Sequence, residues 1–395
     1  MSLISSRVKN LQESATLKIN ATVNRMKAEG KNIYNLTAGE PDFSPPESVK
    51  NAVIAAVQKN LSKYTPTPGI MELRELIAKK TNAQQPSIAK PWKATDVVVT
   101  NGGKQAIFDA IFALIDQGDE VIIPSPFWLS YPEQVKAAGG TSVIVETYAK
   151  DGYCLSAAAL EKAITPKTKL FIINSPSNPT GALYSKSKLQ ELGHVLEKYP
   201  HVWVMTDEIY DLITFGKSGW TAFLEANPSL RDRTITVNGL SKSGAMTGWR
   251  IGWSVTPETL TPSLIALQGH STSGICSLSQ AAGVAALQLT AADFEPQRIN
   301  YLHRRNLALE VLRKSAKIEV FEPEGAFYLF LDLRKALKPN QDANGFAEKL
   351  LQDVQVAVVS GVDFGAPTCV RVSFATEEAT LVKACEILVE YADQN

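Results

Sequence analysis

The chain has 395 residues, 45% of them hydrophobic and 20% charged, which is ordinary for a globular protein and long enough for more than one core. Its 40 basic and 40 acidic residues cancel, so no strong net field favours nucleic acid or an anionic membrane. Four scattered cysteines lack CxxC spacing and four histidines lack HExxH spacing, which argues against a disulfide framework, a metal site and a Ser-His-Asp triad, and for a reduced, cytoplasmic chain.

The opening MSLISSRVKNLQES has no long apolar core, so it does not read as a secretory signal. No later stretch approaches the roughly 20 apolar residues that span a bilayer. The first forty or so residues show no strand–helix alternation. After them, short runs rich in Val, Ile and Phe read as buried strands: DVVVT to Thr100, EVIIP to Pro124, TSVIVE to Glu146, KLFIIN to Asn174, VWVMTDE to Glu208 and TITV to Val237. Helical patterns such as KQAIFDAIFALI and SKLQELGHVLEKY lie between them. This alternation predicts an α/β unit around a mostly parallel sheet. The last third changes character. A long helix around Phe294 to Ser315 precedes IEVF, AFYLFLDL, a helix near Phe346, VAVVSG and VRVSF, which together read as a smaller α+β unit. The N-terminal segment is expected to pack with it.

Unusual residues follow the strands. Asn101-Gly102-Gly103-Lys104 follows one, Pro126-Phe127-Trp128 the next, and Asn174 to Gly181 another; Asp207 closes VWVMTD, and Lys242 comes just after TITVNGLS begins to turn. In an open parallel sheet, ligands bind at the carboxyl ends of the strands, so these segments converge on one site.

Each residue has two readings. Lys242, among small residues in GLSKSGAMTGWRIGW, suits Schiff-base chemistry with a carbonyl compound, or is a solvated loop lysine. Arg250, Ser241 and the backbone N–H groups of Gly103 and Lys104 suit a phosphate at a helix start, or GGKQA is a plain tight turn. Asp207 needs a cationic or hydrogen-bonded partner at the end of a buried strand, which a protonated ring nitrogen supplies, or it caps the next turn. Trp128 offers a face for stacking or belongs to the core. Asn178 and Tyr210 suit donors to a phenolate oxygen, or are turn and surface residues. Arg371, in CVRVSFA, suits a bidentate carboxylate clamp, or reaches solvent from an edge strand. An imine-forming lysine, an acid for a pyridinium, an aromatic face and an anion cradle together suit pyridoxal phosphate.

The ordered set of SAT ending at Thr16, TAGEPDF, KYTPTPG, NGGKQA, SPFW, NSPSNPTG, DEIY, SKSGAMTGWRIG and RVSFA spans nearly the whole chain. In these motifs the chain resembles the class I aminotransferases of the pyridoxal-phosphate fold type I superfamily, and within them the bacterial aspartate aminotransferases of the short, thermophile-like subgroup. The resemblance implies a large cofactor-binding domain over 45–290, with a mostly parallel seven-stranded sheet sandwiched by helices. It implies a small α+β domain over 291–395, with residues 1–44 packing against that domain. The cofactor implied is pyridoxal 5'-phosphate, and the reaction is transamination between aspartate and 2-oxoglutarate by a ping-pong route. Amino acids and 2-oxo acids are the implied small-molecule partners.

By the same resemblance Lys242 forms the Schiff base and moves the substrate proton. Arg250, Ser241, Gly103 and Lys104 hold the phosphate. Asp207 faces the ring nitrogen, Asn178 and Tyr210 face the phenolate oxygen, and Trp128 stacks on the ring. Arg371, with Gly39 and Asn178, binds the α-carboxylate, and Lys104 with Thr16 binds the side-chain carboxylate. Tyr64 reaches the neighbouring subunit's phosphate, which implies a homodimer with shared sites. The bonds before Pro126 and Pro179 match positions that are often cis. The chain departs from relatives at Gly239, where a phosphate-binding serine is common. Prephenate or aromatic amino acids are the alternative substrates, although Leu11-Gln12-Glu13 supplies no lysine before SAT. A lyase on the same cofactor is a further alternative, because fold does not fix reaction.

Overall fold

In the computed structural model, residues 4–9, 11–13, 15–216 and 219–395 are described, without the side chains of residues 6, 7 and 15–17. A short strand β1 (Tyr34–Asn35) precedes the runs that build the central sheet. These are β2 (Val97–Asn101), β3 (Glu120–Ser125), β4 (Thr141–Glu146), β5 (Thr168–Asn174), β6 (Trp203–Asp207), β7 (Thr234–Gly239) and β8 (Ile251–Val255). The seven strands lie in the order β2-β8-β7-β6-β5-β3-β4. All neighbours run parallel except β8, which is antiparallel to both β2 and β7.

Period-2 geometry explains why the strands read as continuous apolar runs. Phe171 and Ile173 enter the core on one face of the sheet, while Leu170 and Ile172 enter the core on the other. Helices cover both faces, so no strand residue in the middle has a solvent side. Each such side chain contributes on the order of 2 kcal/mol by leaving water. Hydroxyl caps start several of these helices: Ser185 accepts from the Lys188 N–H and Ser156 from the Ala159 N–H.

Two sequence readings are corrected. TSVIVE is not a buried strand. It forms β4 at the sheet edge, with β3 as its one neighbour, and its residues are exposed or half-buried. The second correction adds a strand: IGWSV, read only as part of a motif, forms β8 and is buried along its whole length.

The C-terminal strands are β9 (Glu319–Val320), β10 (Tyr328–Asp332), β11 (Val356–Ala357), β12 (Val359–Ser360) and β13 (Cys369–Ser373). Four of them form an antiparallel sheet in the order β12-β13-β10-β9, so Arg371 sits on an interior strand and not on an edge. The expected long helix is Ala291–Leu312, and the one near Phe346 is Ala343–Val354. The N-terminal segment carries a helix, Ala15–Ala28, that the sequence reading did not anticipate. Val23, Met26 and Ile33 pack on Leu351 and Ala357, and β1 pairs with β11 in parallel. That pairing brings Thr37 to Glu40 up to the mouth of the central sheet. Among the described residues, no helix is long and apolar enough to cross a membrane.

Candidate active site

A pocket of about 580 Å³ opens at the carboxyl ends of the central strands. Eleven of the residues named from the sequence line it: Gly39, Gly103, Lys104, Trp128, Asn178, Asp207, Tyr210, Ser241, Lys242, Arg250 and Arg371. Of the remaining two, Thr16 has its side chain outside the described residues, in the first turn of helix Ala15–Ala28. Tyr64 lines a separate groove with Leu61, Ile275 and Cys276 and is 99% exposed, so it does not contribute to this pocket from its own chain.

The helix Gly103–Leu114 starts at the pocket. Its N-cap is Gly102, whose φ of 78° is left-handed and suits glycine, and no side chain caps the helix. The first N–H groups of a helix have no intrahelical acceptor, so they are free for an anion. Arg250 lies across this turn, donating to the Asn101 and Thr247 carbonyls. A Cβ on Gly102 would come within 2.6 Å of its guanidinium, so the glycine makes the close approach possible. Ser241 is buried beside it. The donor set is that of a phosphate cradle. At Gly239 a Cβ would lie 2.7 Å from the Ile251 carbonyl, so this backbone has no room for the serine of other sequences.

Asp207 ends β6 and is buried. The turn-capping reading of it is realised, with Oδ1 accepting the Ile209 N–H at 3.2 Å, and Oδ2 finds a hydrogen-bonded partner in the Tyr131 hydroxyl at 2.6 Å. Burial raises its carboxyl above the usual range, with Tyr131 pulling back. A protonated ring nitrogen is the partner that reverses this cost. Trp128 is half-buried, edge-on to Tyr131, with the Lys104 Nζ 5.0 Å from its ring centre. Tyr131 was missed in the sequence, although it stands three residues after Trp128.

Lys242 donates to the Gly39 carbonyl. Desolvation, helped by Arg371, pushes its amine down to about 8. Arg371 is 2% exposed. It donates to Asn178 Oδ1 and the Thr37 carbonyl, each at 3.0 Å, while its Nε is buried without a partner. None of its hydrogen bonds goes to a carboxylate. Asn178 accepts from Arg371 with its oxygen, which leaves its Nδ2 free to donate into the pocket. The sequence reading also missed Glu40, which accepts from Thr247 at 2.8 Å, and Tyr328; both line the pocket. The expected cis bonds before Pro126 and Pro179 are present, and a third precedes Pro176.

Behind the pocket, Glu208 and Asp211 interleave with Asp207 and Tyr210. Asp211 Oδ2 accepts from Lys80, Gln84 and Asn238. Glu208 Oε1 accepts from Thr206 and the Phe223 N–H, and its Oε2 is buried without a partner. Burial pushes the Glu208 carboxyl up from 4.5 to about 8. The folded protein therefore binds more protons than the unfolded chain between those values, and this group's contribution to stability falls as pH rises through that window. Glu208→Gln is expected to flatten the decline in denaturant midpoint between about pH 5 and 8. An unchanged pH profile would show that Glu208 is ionised in the fold.

The model of the family described as aminotransferase class I and II matches residues 31–388. The chain belongs to this family. It is an aminotransferase of fold type I, and its cofactor is pyridoxal 5'-phosphate. A probable aspartate/prephenate aminotransferase of Rickettsia felis is 41% identical, over 98% of this chain and 95% of that protein. An aspartate/prephenate aminotransferase of Nitrosomonas europaea is 39% identical, over 96% and 97%. Among solved structures, the Thermus thermophilus aspartate aminotransferase with maleate superposes with a TM-score of 0.93 at 38% identity, covering 99% of this chain and all of that one. The enzyme from Rhizobium meliloti superposes with a TM-score of 0.94, also at 38% identity, covering 100% and 99%. The aminotransferase pocket fits its cofactor on its own chemistry: a buried acid with no ion-pair partner among the described residues, an uncapped helix start under an arginine, and an aromatic face line the same pocket as Lys242.

Proposed function

We propose that the enzyme moves the amino group of aspartate to 2-oxoglutarate in two half-reactions at this pocket. One observation carries the choice of acidic substrates. Four cations line the pocket, Lys104, Lys242, Arg250 and Arg371, against two carboxylates, Glu40 and Asp207. Asp207 suits the ring nitrogen and Glu40 is bonded to Thr247. With Lys242 reserved for the cofactor, the other three cations suit three anions: the cofactor phosphate at Arg250, an α-carboxylate at Arg371, and a second carboxylate at Lys104.

In this reading Arg250, Ser241 and the Gly103 and Lys104 N–H groups bind the phosphate. Asn178 Nδ2 and the Tyr210 hydroxyl donate to the phenolic oxygen, and Trp128 stacks on the ring. When bound, the cofactor supplies a ring that accepts the electron pair left at the substrate Cα. Lys242 would hold the cofactor through its amine, and its Nζ, once released, would be the base placed to carry the proton at the substrate Cα. Arg371, with Asn178 and Gly39, orients the α-carboxylate. Lys104, with Thr16, selects the side chain.

Lys104→Ala is expected to lower kcat/KM for aspartate by about 10- to 100-fold, the size of a charge-assisted hydrogen bond, and to leave the slow reaction with alanine nearly unchanged. Equal losses on both amino acids would assign Lys104 to the phosphate alone. Relatives named for prephenate as well as aspartate favour a second reading, in which prephenate also serves as acceptor.

The reading includes a division into an N-terminal segment 1–44, a large domain 45–290 and a small domain 291–395, in a homodimer. Val57, Leu61 and Tyr64 line one groove and are exposed, as is Ile54 one turn earlier in the same helix as Val57, which supports a second copy covering this surface. Small-angle scattering should give a dimeric mass and a smaller radius of gyration with a bound dicarboxylate; a monomeric mass contradicts the shared site.

A further inference from the structure

We propose that Tyr328 is a positioning residue of the transamination site: its hydroxyl donates to Tyr210, which frees the Tyr210 proton for the cofactor's phenolic oxygen, and its ring is the platform under the Arg371 guanidinium. The inference rests on the reading above, in which Tyr210 faces the cofactor and Arg371 the substrate.

The register of the C-terminal sheet makes the contact. Tyr328 pairs with Ser373 and Phe330 with Arg371 across antiparallel β10 and β13. Alternate residues share a face, so Tyr328 and Arg371 are diagonal neighbours on one side of the sheet. The guanidinium carbon stands 4.3 Å from the Tyr328 ring centre. The ring thus faces a buried cation that also meets the Asn178 and Thr37 oxygens and, at 5.2 Å, the Phe364 ring.

The hydroxyl makes a second contact. It lies 2.9 Å from the Tyr210 hydroxyl, both residues being buried. Neither hydroxyl has another hydrogen-bond partner among the described residues. Each phenol carries one proton, so one of the two protons stays available for a ligand. The arginine decides which. A cation over a phenol ring draws charge from it and makes its O–H the better donor. Tyr328 lies under the guanidinium, so Tyr328 donates and Tyr210 keeps its proton for the pocket it lines. A hydroxyl that accepts one hydrogen bond also donates a stronger one. Tyr328 thereby connects the carboxylate clamp to the cofactor's phenolic side. The charged groups facing the pair are Asp207 and Lys242 from the central sheet and Arg371 from β13, and a Tyr328→Phe change alters none of them.

The test uses the holoenzyme with Tyr210→Phe, Tyr328→Phe and Tyr328→Leu, reading the pH midpoint of the bound cofactor's absorption without substrate, the affinity for maleate, and kcat. A donor aimed at the phenolic oxygen favours the less protonated cofactor, so Tyr210→Phe moves the midpoint to higher pH. Tyr328→Phe is expected to move it in the same direction by a smaller amount and to lower kcat about 3- to 10-fold, with maleate affinity held within about twofold. Tyr328→Leu should add a loss of about tenfold in maleate affinity by removing the platform. A midpoint shifted by Tyr210→Phe and untouched by Tyr328→Phe overturns the inference alone. So does a Tyr328→Phe enzyme that loses maleate as fully as Tyr328→Leu, because the hydroxyl then serves the ligand directly. A midpoint that Tyr210→Phe leaves unmoved overturns the Tyr210 assignment and the inference with it.

Discussion

Lys242→Ala is expected to lower turnover by about 10⁴-fold or more while the protein still binds the cofactor's phosphate. The lysine is the one amine in the pocket that faces Tyr210, Phe327 and the Gly39 carbonyl at once. Its immediate neighbours are small, Ser241, Ser243 and Gly244. Burial and the Arg371 charge push its amine down to about 8, so about a tenth of it is neutral at pH 7, far more than for a lysine in water. That is what a nucleophile and a proton carrier both require. Capture of added cofactor by the cofactor-free protein should therefore accelerate as pH rises through about 8 and then level off. Residual turnover within tenfold of the parent enzyme, measured by oxaloacetate release, would assign the proton transfer elsewhere.

The second large effect is at Arg371. Arg371→Leu is expected to cost about 10²- to 10³-fold in kcat/KM for aspartate, mostly through KM, and to leave the resting absorption spectrum in place. The side chain is held before any substrate arrives: Asn178 and the Thr37 carbonyl fix two of its nitrogens, and its guanidinium carbon lies 4.3 Å from the Tyr328 ring centre and 5.2 Å from that of Phe364. Its buried Nε has no partner, and none of its hydrogen bonds reaches an acid. A substrate carboxylate would complete this arrangement, and preorganisation would keep the entropy cost of the clamp low. Arg371→Lys should recover only part of the loss, since an ammonium keeps the charge and loses the planar fork. An undiminished KM in Arg371→Leu would place the α-carboxylate at another cation.

Most of this site was legible in the sequence because its parts are local and sit where strands end. NGGKQA announces an uncapped helix start; Asp207 stands out as a charge closing VWVMT; Arg371 stands out as a charge inside an apolar strand. What was missed has no local signature. Tyr328 lies in AFYLFLDL, where an aromatic residue is ordinary strand material, and its partner Tyr210 is 118 residues away. Tyr131 reads as a helix residue, and only the fold brings its hydroxyl to Asp207. Strand β8 was hidden because TGWRIGW is dominated by glycine and tryptophan, which disguise the short apolar run after Arg250. Its burial comes from insertion between β2 and β7, a tertiary fact. TSVIVE has the composition of an inner strand, and only the sheet order shows that it is an edge.

The most direct measurement is the absorption spectrum of the purified holoenzyme before and after adding aspartate with no oxo acid present. The expected result is loss of the resting cofactor band, gain of the amine-form band and release of oxaloacetate, with the original spectrum restored by 2-oxoglutarate. A band that aspartate leaves untouched, while a neutral or aromatic amino acid converts it, would contradict the assignment of a second carboxylate to Lys104 and with it the acidic substrate.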